Sequence, residues 1–509
     1  MAESWVNAAE RIGVDLHLEL SGSGSRRGAL TAALREAVRS GRLAPGTRLP
    51  PYRALAADLG VARNTVADAY AELVAEGWLT ARQGSGTRVA ERAGPPPAGA
   101  RRRTPEAAPV PRRRHEHELR QGSPDASAFP RAAWAAAYRR ALNAAPAAAF
   151  GPGDPQGRIE LRTALAEYLA RSRGVRTDPG RIVICAGFAH ALRLLCDQHH
   201  GSRVLRGPLA VEAYGLPFHR GLLAGSGVRT VPLPVDEHGA RVAELEALGN
   251  GVRGVLLTPA HQFPTGGPLH HDRRAAVVDW ARRRGGLVVE DDYDGEFRYD
   301  RKPVGAVQGL DPERVVYVGS VSKSLSPALR LGWMVLPGHL VRDALATKGE
   351  REGWSSALDQ LALAEFLSSG AYDRHVRRMR QRYRSRRDLL VTALAERAPW
   401  VEVSGVAAGL HAVVRLPSGR EPEVVAAARA QGIAIDGLAD FRHPGFPPSA
   451  EEDRAEERQD GDGLVVGYAA APERAYGAAV EALCGVLARD RSASPSGPSG
   501  PGGVKENAG

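Results

Sequence analysis

Short apolar runs rich in β-branched residues alternate with helical stretches through the middle of this chain, and this alternation constrains the fold strongly. Five such runs are Ile182–Cys185, Val204–Val211, Val252–Leu257, Leu287–Val289 and Val315–Val318. Strands separated by helices favour a largely parallel sheet with helices on both faces. Helices from about residue 371, with strands near 409–414 and 463–466, indicate a smaller lobe. We therefore predict that residues 121–490 form an α/β domain with a smaller α+β C-terminal lobe.

Polar clusters follow four of these runs, at the point where each predicted strand ends. They are Gly187–His190, Pro259–Gly266, Asp291–Asp294 and Ser320–Lys323. In open α/β sheets, ligands bind outside the carboxyl ends of the strands. Each cluster alone is an ordinary turn, whereas four clusters that meet at one edge predict a ligand site.

Lysine is almost absent from the chain, which makes Lys323 conspicuous. Of 68 basic residues, four are lysines, at positions 302, 323, 348 and 505. Arginine supplies charge and forked hydrogen bonds, but lysine can lose its proton and attack a carbonyl carbon as an amine. Taken alone, Lys323 is a leftover surface lysine. Its position between the run Val315–Val318 and Arg330-Leu331-Gly332 favours a functional amine.

The residues around this predicted edge suit one class of cofactor. A lysine amine can condense with an aldehyde, and a carboxylate can keep a pyridine nitrogen protonated so that the ring withdraws electrons. Asp291 suits the second role, and Tyr293 can bond the ring hydroxyl oxygen. Serine hydroxyls, an arginine and backbone N–H groups at a helix start can bind a phosphate. The residues predicted to bind pyridoxal 5'-phosphate are Lys323, Asp291, Tyr293, Ser320, Ser322, Arg330, Gly187, Phe188, Ala189 and His261.

The net charge is concentrated near the N-terminus. Residues 21–120 hold 18 arginines and 9 acidic residues, a surplus of +9, while the whole chain carries +10. A local surplus of this size favours an acidic polymer, above all nucleic acid, as the partner. Because a basic surface can also be a solvated face, this interpretation needs a fold that presents the charge to DNA.

Residues 21–90 supply such a fold. Helical spacing predicts a first helix, a short helix that opens at Pro50-Pro51 and a third helix from about Ala62. Two short runs on either side of Gly84-Ser85-Gly86 predict a hairpin. Helix, short helix, helix and hairpin is the order of a winged helix-turn-helix, and we predict one over residues 21–90.

The third helix of such a domain enters the major groove, led by its N-terminal residues. The predicted DNA contacts are Arg63, Asn64 and Thr65 on that helix, Arg53 on the short helix, and Gln83 and Gly84 at the hairpin tip. The alternative is a small helical core with an ordinary charged face. The order of the elements and the charge surplus favour DNA binding.

Composition predicts the remaining segments. Residues 91–120 are rich in proline, alanine and arginine without apolar periodicity, which predicts a semi-stiff linker, and residues 491–509 predict a disordered tail.

Three widely spaced cysteines and a polar N-terminus favour a cytoplasmic protein with reduced thiols. No apolar run reaches the ~20 residues of a membrane span. The histidine pairs at 199–200 and 270–271 lack partners at metal-site spacing, so we predict no metal.

A stretch of about 65 residues within the predicted domain 21–90 resembles the winged-helix domain of GntR-family repressors. The segments that carry the resemblance are Leu49–Ala56, Gly60–Val66, Glu76–Thr80 and Gln83–Thr87. The later part of the chain is similar to the fold-type I aminotransferase domain, and the segments in question are Ala186–Leu192, His261–Gly266, Glu290–Tyr299 and Ser320–Gly332. The combination resembles the MocR/PdxR subfamily of GntR regulators, in which the two domains are fused.

This resemblance implies specific roles. Lys323 would be the Schiff-base lysine, Asp291 the partner of the pyridine nitrogen and Tyr293 the partner of the ring hydroxyl. The phosphate ligands would be Ser320, Ser322 and Arg330. The resemblance also implies a head-to-tail homodimer, bound to double-stranded operator DNA.

The chain also departs from the aminotransferase pattern. Phe263 stands where many of these enzymes have asparagine, and Phe188 replaces a small or hydroxyl residue near the phosphate. Leu216 takes the place of the tyrosine that often follows Glu-Asp-Pro-Gly. The segment Leu464–Tyr468 carries no arginine where aminotransferases often hold the substrate carboxylate. Loss of that clamp is expected to reduce turnover severely.

Three interpretations remain open at this point. The first is a transcription regulator that senses pyridoxal phosphate, or an amine or amino acid that joins it, through the aminotransferase-like domain. The second is an active aminotransferase with an appended DNA-binding domain, although the missing clamp argues against sustained activity. The third is a repressor that uses a non-catalytic aminotransferase fold only for dimerisation.

Overall fold

The structure is a computed structural model, and it describes residues 25–82, 86–91, 116–197, 204–249, 251–299, 304–349, 355–446 and 461–492. The chain divides into two compact units, residues 1–113 and 114–509. Residues 92–115 of the predicted linker and residues 493–509 of the predicted tail lie outside the described residues. The last residues of the predicted linker, 116–120, are described. They include a short strand and the fully buried Leu119.

The first unit contains three helices and a two-stranded antiparallel hairpin, namely α1 (Arg26–Arg39), α2 (Tyr52–Asp58), α3 (Arg63–Ala75), β1 (Leu79–Arg82) and β2 (Gly86–Val89). Leu34 of α1, Val66 and Leu73 of α3 and Leu79 of β1 belong to one buried apolar cluster. Burial of such side chains is the main force that holds small helical units together. This order of elements confirms the predicted winged helix-turn-helix.

The second unit is larger. Residues 116–349 contain β3 (His117–Glu118), α4 (Arg131–Ala144), α5 (Ile159–Arg173), β4 (Ile182–Cys185), α6 (Phe188–Cys196), β5 (Leu209–Glu212), α7 (Pro217–Gly225), β6 (Thr230–Leu233), β7 (Val235–Asp236), β8 (Gly239–Ala240), β9 (Gly254–Leu257), α8 (His271–Arg284), β10 (Leu287–Asp291), β11 (Val315–Ser320), β12 (Gly332–Val335) and α9 (Val341–Lys348). Residues 355–492 add α10 (Ala357–Ser368), α11 (Ala371–Arg397), β13 (Glu402–Ser404), β14 (His411–Arg415), α12 (Glu421–Ala430), β15 (Ile433–Ala434), β16 (Asp436–Gly437), β17 (Gly463–Gly467) and α13 (Glu473–Ser492).

A seven-stranded sheet in the order β4-β12-β11-β10-β9-β5-β6 forms the centre of this unit. The strands from β11 to β6 run parallel to one another, whereas β12 is antiparallel to both β11 and β4. Apolar side chains pack on both faces of the sheet, and this explains why its strands are nearly continuous apolar runs. The predicted α/β architecture is confirmed.

The smaller lobe is built on a four-stranded antiparallel sheet in the order β13-β14-β17-β16. Helices α11, α12 and α13 contribute to the apolar cluster that covers it. The first strand of the unit, β3, pairs in parallel with β15 of this lobe. The chain therefore enters the second unit beside the smaller lobe before it reaches the large sheet.

One predicted strand is shorter than expected. The run Val204–Val211 predicted a strand throughout, but β5 begins at Leu209. Gly207 has a positive φ of 87° and Pro208 has no backbone N–H, so these two residues prevent an earlier start of the ladder. Among the described residues, no helix is long and apolar enough to cross a membrane.

Candidate cofactor pocket and DNA-binding face

A cavity of about 250 Å³ lies at the carboxyl ends of the parallel strands. It brings together nine of the ten predicted cofactor-binding residues, which are Gly187, Phe188, Ala189, Asp291, Tyr293, Ser320, Ser322, Lys323 and Arg330. The tenth, His261, does not line the cavity. The four polar clusters lie at one edge because the carboxyl ends of parallel strands lie on the same side of the sheet.

Lys323 follows β11 and extends its amine into this cavity. The amine donates a hydrogen bond to the backbone carbonyl oxygen of Gly122. Burial lowers the pKa of Lys323 below that of an ordinary lysine, and the carboxylates of Asp291 and Asp294 oppose this shift. A buried amine with a lowered pKa is more often neutral, and the neutral form is the nucleophile.

Asp291 ends β10 and lines the same cavity. Its side chain is buried, and it accepts no hydrogen bond from the residues that the structure describes. Burial raises its pKa well above the usual range, Asp292 adds to the rise, and Lys323 opposes it. A buried carboxyl group without a donor is costly, so this position calls for a cationic or N–H partner in the cavity.

The Tyr293 hydroxyl group lies within hydrogen-bonding distance of the buried His261 ring. His261 Nδ1 lies 2.9 Å from Asp294 Oδ2 and 3.0 Å from the Tyr293 hydroxyl oxygen. His261 is 3% exposed and does not line the cavity, and its ring contacts Tyr293, which does. Direct contact between His261 and a cofactor stays a prediction.

One end of the cavity is a cradle formed by the start of α6 and by the loop after β11. Gly187 has φ 96°, and a Cβ atom there would lie 3.9 Å from both Arg330 Nη1 and Ser322 Oγ. Arg330 has φ 51° and is the one non-glycine residue with a positive φ in the described part of the chain. Its guanidinium makes no hydrogen bond or ion pair with described residues.

This cradle has the chemistry of an anion site. The start of α6 lines this end of the cavity, and a helix N-terminus favours negative charge. Ser320 Oγ accepts a hydrogen bond from the Ser322 N–H at 3.4 Å. Strained backbone at Arg330 persists because neighbouring structure holds it, and such strain clusters at ligand sites.

A close approach between two elements shapes the cradle. Gly332 opens β12, and a Cβ atom there would lie 2.7 Å from the Gly187 Cα atom. Only glycine allows β12 to pass so close to the start of α6. The antiparallel strand β12 thus brings the Gly187 turn and the loop after β11 together.

Several residues that line the cavity were not predicted from sequence. They are Gln121, Gly122, Glu212, His219 and His411. Glu212 ends β5, and none of the four predicted polar clusters includes the end of this strand. The others come from distant segments, and only the fold brings them to Lys323.

The first residues of the second unit run directly into the cavity. The Gly467 N–H donates to the Leu119 carbonyl oxygen at 2.7 Å, so this segment crosses β17. A Cβ atom at Gly467 would lie 2.3 Å from the Arg120 carbonyl oxygen, and glycine is therefore required at this crossing. Gly122 then accepts the hydrogen bond from Lys323.

The segment without an arginine for a substrate carboxylate forms β17, and every residue of this strand is buried. Val465 packs in an apolar cluster with Phe263 and Val413. The nearby Arg220 lines the cavity, and three of its five N–H groups donate to the carbonyl oxygens of Gly215, Phe441 and Arg442 at 2.7–3.1 Å.

Four of the six predicted DNA contacts lie among the described residues of the first unit. Arg63 and Asn64 are exposed at the start of α3, Thr65 is half-buried, and Arg53 is exposed on α2. The Arg63 guanidinium lies 5.0 Å from the centre of the Tyr52 ring, so the two helices present it together. Gln83 and Gly84, at the predicted hairpin tip, lie outside the described residues.

The chain matches two protein families over separate segments. Residues 27–89 match the family described as bacterial regulatory proteins, gntR family. Residues 118–447 match aminotransferase class I and II. These segments carry the winged-helix fold and the cavity, respectively.

Known regulators match most of the chain. The chain is 34% identical over 459 residues to the probable rhizopine catabolism regulatory protein MocR of Rhizobium meliloti, covering 86% of this chain and 88% of that protein. It is 32% identical to the HTH-type pyridoxine biosynthesis transcriptional regulator PdxR of Corynebacterium glutamicum, covering 81% of this chain and 88% of that protein.

Solved aminotransferases share the fold of the second unit. An archaeal alanine:glyoxylate aminotransferase matches with a TM-score of 0.63 at 22% identity, covering 73% of this chain and 91% of the enzyme. At this identity the likeness concerns the fold alone. Together with the two family matches and the regulators that match along most of their length, it shows that this chain is a GntR-type DNA-binding regulator that belongs to the MocR/PdxR subfamily, with a winged helix fused to an aminotransferase-like domain.

Proposed function

We propose that this regulator binds pyridoxal 5'-phosphate in the cavity around Lys323 and that the occupancy of this cavity controls its affinity for operator DNA. The observation that carries the proposal is that one cavity is lined by a carboxyl group and a guanidinium group, neither of which has a hydrogen-bond partner among the described residues. Asp291 is the buried carboxyl group, and Arg330 is the exposed guanidinium group.

The residues present suit each part of that cofactor. Arg330, Ser322 and the start of α6 would hold its phosphate, Asp291 would hold the ring nitrogen, and Lys323 would hold the aldehyde carbon. Tyr293, fixed by His261, would contact the ring hydroxyl. When bound, a cofactor of this class supplies an electron-withdrawing ring and a carbonyl carbon that amines attack.

The direct test is covalent trapping. Purified protein mixed with pyridoxal phosphate is expected to absorb visible light, and borohydride reduction followed by peptide mass spectrometry is expected to place the adduct on Lys323. Lys348 is an internal control, because it is also buried but donates to the carbonyl oxygens of Pro155 and Ile184. An adduct on Lys348 alone, or no adduct, would overturn the assignment.

The link to DNA needs a second measurement. Operator binding, followed by fluorescence anisotropy, is expected to change at least several-fold on addition of cofactor in the wild type and not in Lys323→Ala. Equal cofactor responses of the two proteins would refute the regulatory part of the proposal. We expect no sustained keto-acid production, since β17 offers no arginine for a substrate carboxylate.

Assembly and location remain predictions. We propose the head-to-tail homodimer and the cytoplasmic location that were expected from the resemblance and the composition. Light scattering of the purified full chain checks the dimer, which is expected at twice the mass of 54.1 kDa.

A further inference from the structure

We propose that helix α11 of the second unit is a further DNA-binding surface, which holds phosphate groups of duplex DNA through a row of exposed arginines. This inference goes beyond the proposed function, because it does not involve the cofactor. It also goes beyond the DNA contacts predicted from sequence, all of which lie in the first unit.

Helix α11 concentrates positive charge. Its 27 residues include nine arginines and three acidic residues, a surplus of +6, and they include no lysine. A guanidinium can donate two parallel hydrogen bonds to the oxygens of one phosphate, which an ammonium group cannot match. A helix of this composition therefore favours a partner that carries phosphate groups, provided that its arginines are accessible.

Four of the nine arginines attach the helix to the rest of the second unit by hydrogen bonds or ion pairs. They are Arg380, Arg382, Arg386 and Arg397. Arg386, for example, is 3% exposed, and its guanidinium donates to Glu473 at 2.9 Å. A fifth, Arg387, is half-buried. Contacts within the unit thus explain only part of the composition of this helix.

The remaining four arginines are exposed and lie on one face of the helix, which we call the basic stripe. They are Arg374, Arg377, Arg378 and Arg384. At about 3.6 residues per turn they fall within an arc of about 120°, and at a rise of about 1.5 Å per residue they span about 15 Å. The opposite face is buried, with Val376 and Tyr383 in apolar clusters. The helix is therefore packed on one side and presents the stripe on the other.

The guanidinium groups of the stripe keep most of their N–H groups for a ligand. Arg377 makes no hydrogen bond or ion pair with any residue that the structure describes. Arg374 donates to the Ser369 carbonyl oxygen at 3.3 Å, and Arg378 donates to His375 Nδ1 at 3.0 Å. His375 is neutral at pH 7, because burial lowers its pKa to about 4. Neither bond therefore cancels the charge of the arginine.

Acidic residues near the stripe cancel little of its charge. Asp388 lies 3.9 Å from Arg384, but both side chains are more than half exposed, and exposed pairs of this kind interact weakly. Asp373 already pairs with Arg171 at 3.0 Å. Glu396 lies about 18 Å beyond Arg384 along the helix axis. This face of α11 therefore keeps a positive surplus.

Duplex DNA is the partner that fits the stripe. This chain belongs to a family of DNA-binding regulators, so it meets a polymer of phosphates whenever it binds its operator. Each strand presents one phosphate per about 3.4 Å of the DNA axis, so a stripe of about 15 Å spans about four of them. Contacts to phosphates add affinity without reading sequence. We therefore expect the stripe to strengthen binding to any duplex.

The test removes charge from the stripe in the full-length protein, with and without cofactor. Arg374, Arg377 and Arg384 are replaced together by glutamine, which is also a good helix former. Fluorescence anisotropy follows binding to an operator duplex and to a duplex of unrelated sequence at several salt concentrations. We expect both affinities to fall about ten-fold at low salt and the slope of log K against log salt to become shallower by about two units. The ratio of the two affinities should not change.

The charge control replaces by glutamine three exposed arginines that make no ion pair with described residues. They are Arg193, Arg229 and Arg342. Leu192 and Val228, next to two of them, share an apolar cluster with Val183, whereas Val376 of α11 shares one with Ile182. Ile182 and Val183 are adjacent in β4, so these clusters lie on opposite faces of the sheet. We expect this control to change the slope by less than about half a unit.

A lysine variant separates loss of charge from loss of fold. Lysine at the same three positions of the stripe keeps the positive charge, so this variant should retain most of the salt dependence. Thermal unfolding should occur at the same temperature in every variant as in the wild type, because all of the replaced side chains are exposed.

Equal effects of the glutamine variant of the stripe and of the charge control would overturn the inference. An unchanged salt dependence in the stripe variant would overturn it too, and a simultaneous change of mass in light scattering would identify the stripe as an interface between copies of the chain. A loss confined to the operator duplex would also count against it, since phosphate contacts do not read sequence. The variants are compared under each cofactor condition, so failure of the proposed function would leave this comparison intact.

Discussion

Two neighbouring aspartates at the end of β10 have opposite surroundings. Asp292 accepts two hydrogen bonds from Arg173, at 2.7 and 2.9 Å, and one from the Tyr317 hydroxyl at 2.6 Å. Asp291, one residue earlier, faces the cavity with no donor among the described residues. The Asp292 carboxylate is fully hydrogen-bonded within the fold, so we assign it a structural role. The Asp291 carboxyl group is free to bond a ligand in the cavity.

Replacing each aspartate by asparagine is expected to separate these roles. Asp292→Asn leaves Arg173 as a buried, poorly paired charge, so the free energy of unfolding should fall by about 3–5 kcal/mol. Asp291→Asn should change it by less than about 1 kcal/mol but weaken the cofactor at least ten-fold. Urea denaturation and absorbance titration measure the two effects. Equal destabilisation by both variants would contradict the assignment.

Buried histidines predict a pH dependence of stability. Burial lowers the pKa of His411 to about 3 and of His375 to about 4, and both values lie below the unfolded value of 6.5. The unfolded chain therefore binds more protons below pH 6.5. The histidine contribution to stability is complete above that pH and is lost as the pH falls toward 4, by up to about 1.4 kcal/mol per pH unit for each histidine. Three buried glutamates, Glu212, Glu290 and Glu296, have pKa values raised to about 7 by burial and contribute with the opposite sign, so the histidine contribution is measured by comparing variants.

Thermal unfolding between pH 7 and pH 4.5 checks this sign. His411→Gln keeps a donor for the Pro264 carbonyl oxygen but cannot take up a proton, so its stability should fall less steeply with pH than that of the wild type. His271→Gln, at a side chain that is 80% exposed, should leave the slope unchanged. A His411→Gln protein whose stability falls as steeply with pH as that of the wild type would rule out a neutral buried His411.

Sequence was a good guide to residues whose chemistry follows a strand directly. Lys323 and Asp291 come immediately after apolar runs, so their place at the sheet edge follows from strand polarity. Gly122 and His411 could not be found in this way, because each arrives from a segment remote from Lys323 in sequence. His261 also lies at this edge, where it contacts Tyr293 and Asp294.

At the scale of elements, α3 begins with the predicted DNA contact whose surroundings the structure defines in most detail. It begins at Arg63, whose guanidinium also lies 3.4 Å from the Tyr52 hydroxyl oxygen of α2. Tyr52 of α2 thus contacts one cation at the start of α3, the predicted recognition helix. This arrangement limits the side-chain entropy that is lost on binding.

Arg63→Ala is expected to weaken operator binding by about 1–3 kcal/mol and to reduce the dependence of log K on log salt by roughly one unit. Arg39→Ala, at the last turn of α1 where the side chain is 71% exposed, removes the same charge away from α3 and is the control. Anisotropy titrations at several salt concentrations measure both. If the two variants behaved alike, α3 would not be the recognition helix.

Element order was more predictable than element direction. Apolar runs indicated five strands of the large sheet, but β12 was not expected. Its four residues are too few to show a period, and nothing in Gly332–Val335 indicates that it runs against its neighbours. Yet β12 sets the distance between the Gly187 turn and the loop after β11, so the shape of the cradle required the structure.

At the scale of the whole molecule, the two compact units have separate apolar cores. We therefore expect two calorimetric transitions. Leu34→Ala, at a fully buried site of the first unit, should lower the free energy of unfolding of that unit by about 2–5 kcal/mol and leave the second transition unchanged. Pyridoxal phosphate at 100 times its Kd should raise the free energy of unfolding of the second unit by about 2.7 kcal/mol. A single transition that shifts in both experiments would mean that the units unfold together.

The domain boundaries predicted from composition stay predictions. Composition distinguishes a proline- and arginine-rich segment from a core, but it does not show where pairing begins. Residues 117–119 illustrate this, because they fall inside the predicted linker and yet include β3 and a fully buried leucine. A short strand at the end of a biased segment carries too few residues to alter its composition.

The path of residues 119–122 has a thermodynamic consequence. This segment, near the start of the second unit, crosses β17 at Leu119. Its Gly122 carbonyl oxygen then accepts a hydrogen bond from the Lys323 amine, which would hold the cofactor. If cofactor capture at Lys323 changes operator affinity by some factor, linkage requires that operator DNA change cofactor affinity by the same factor. Cofactor titrations with and without operator should therefore give a ratio equal to that from the DNA titrations. In a cell, the promoter itself would then act as a ligand that sets how much cofactor the regulator retains.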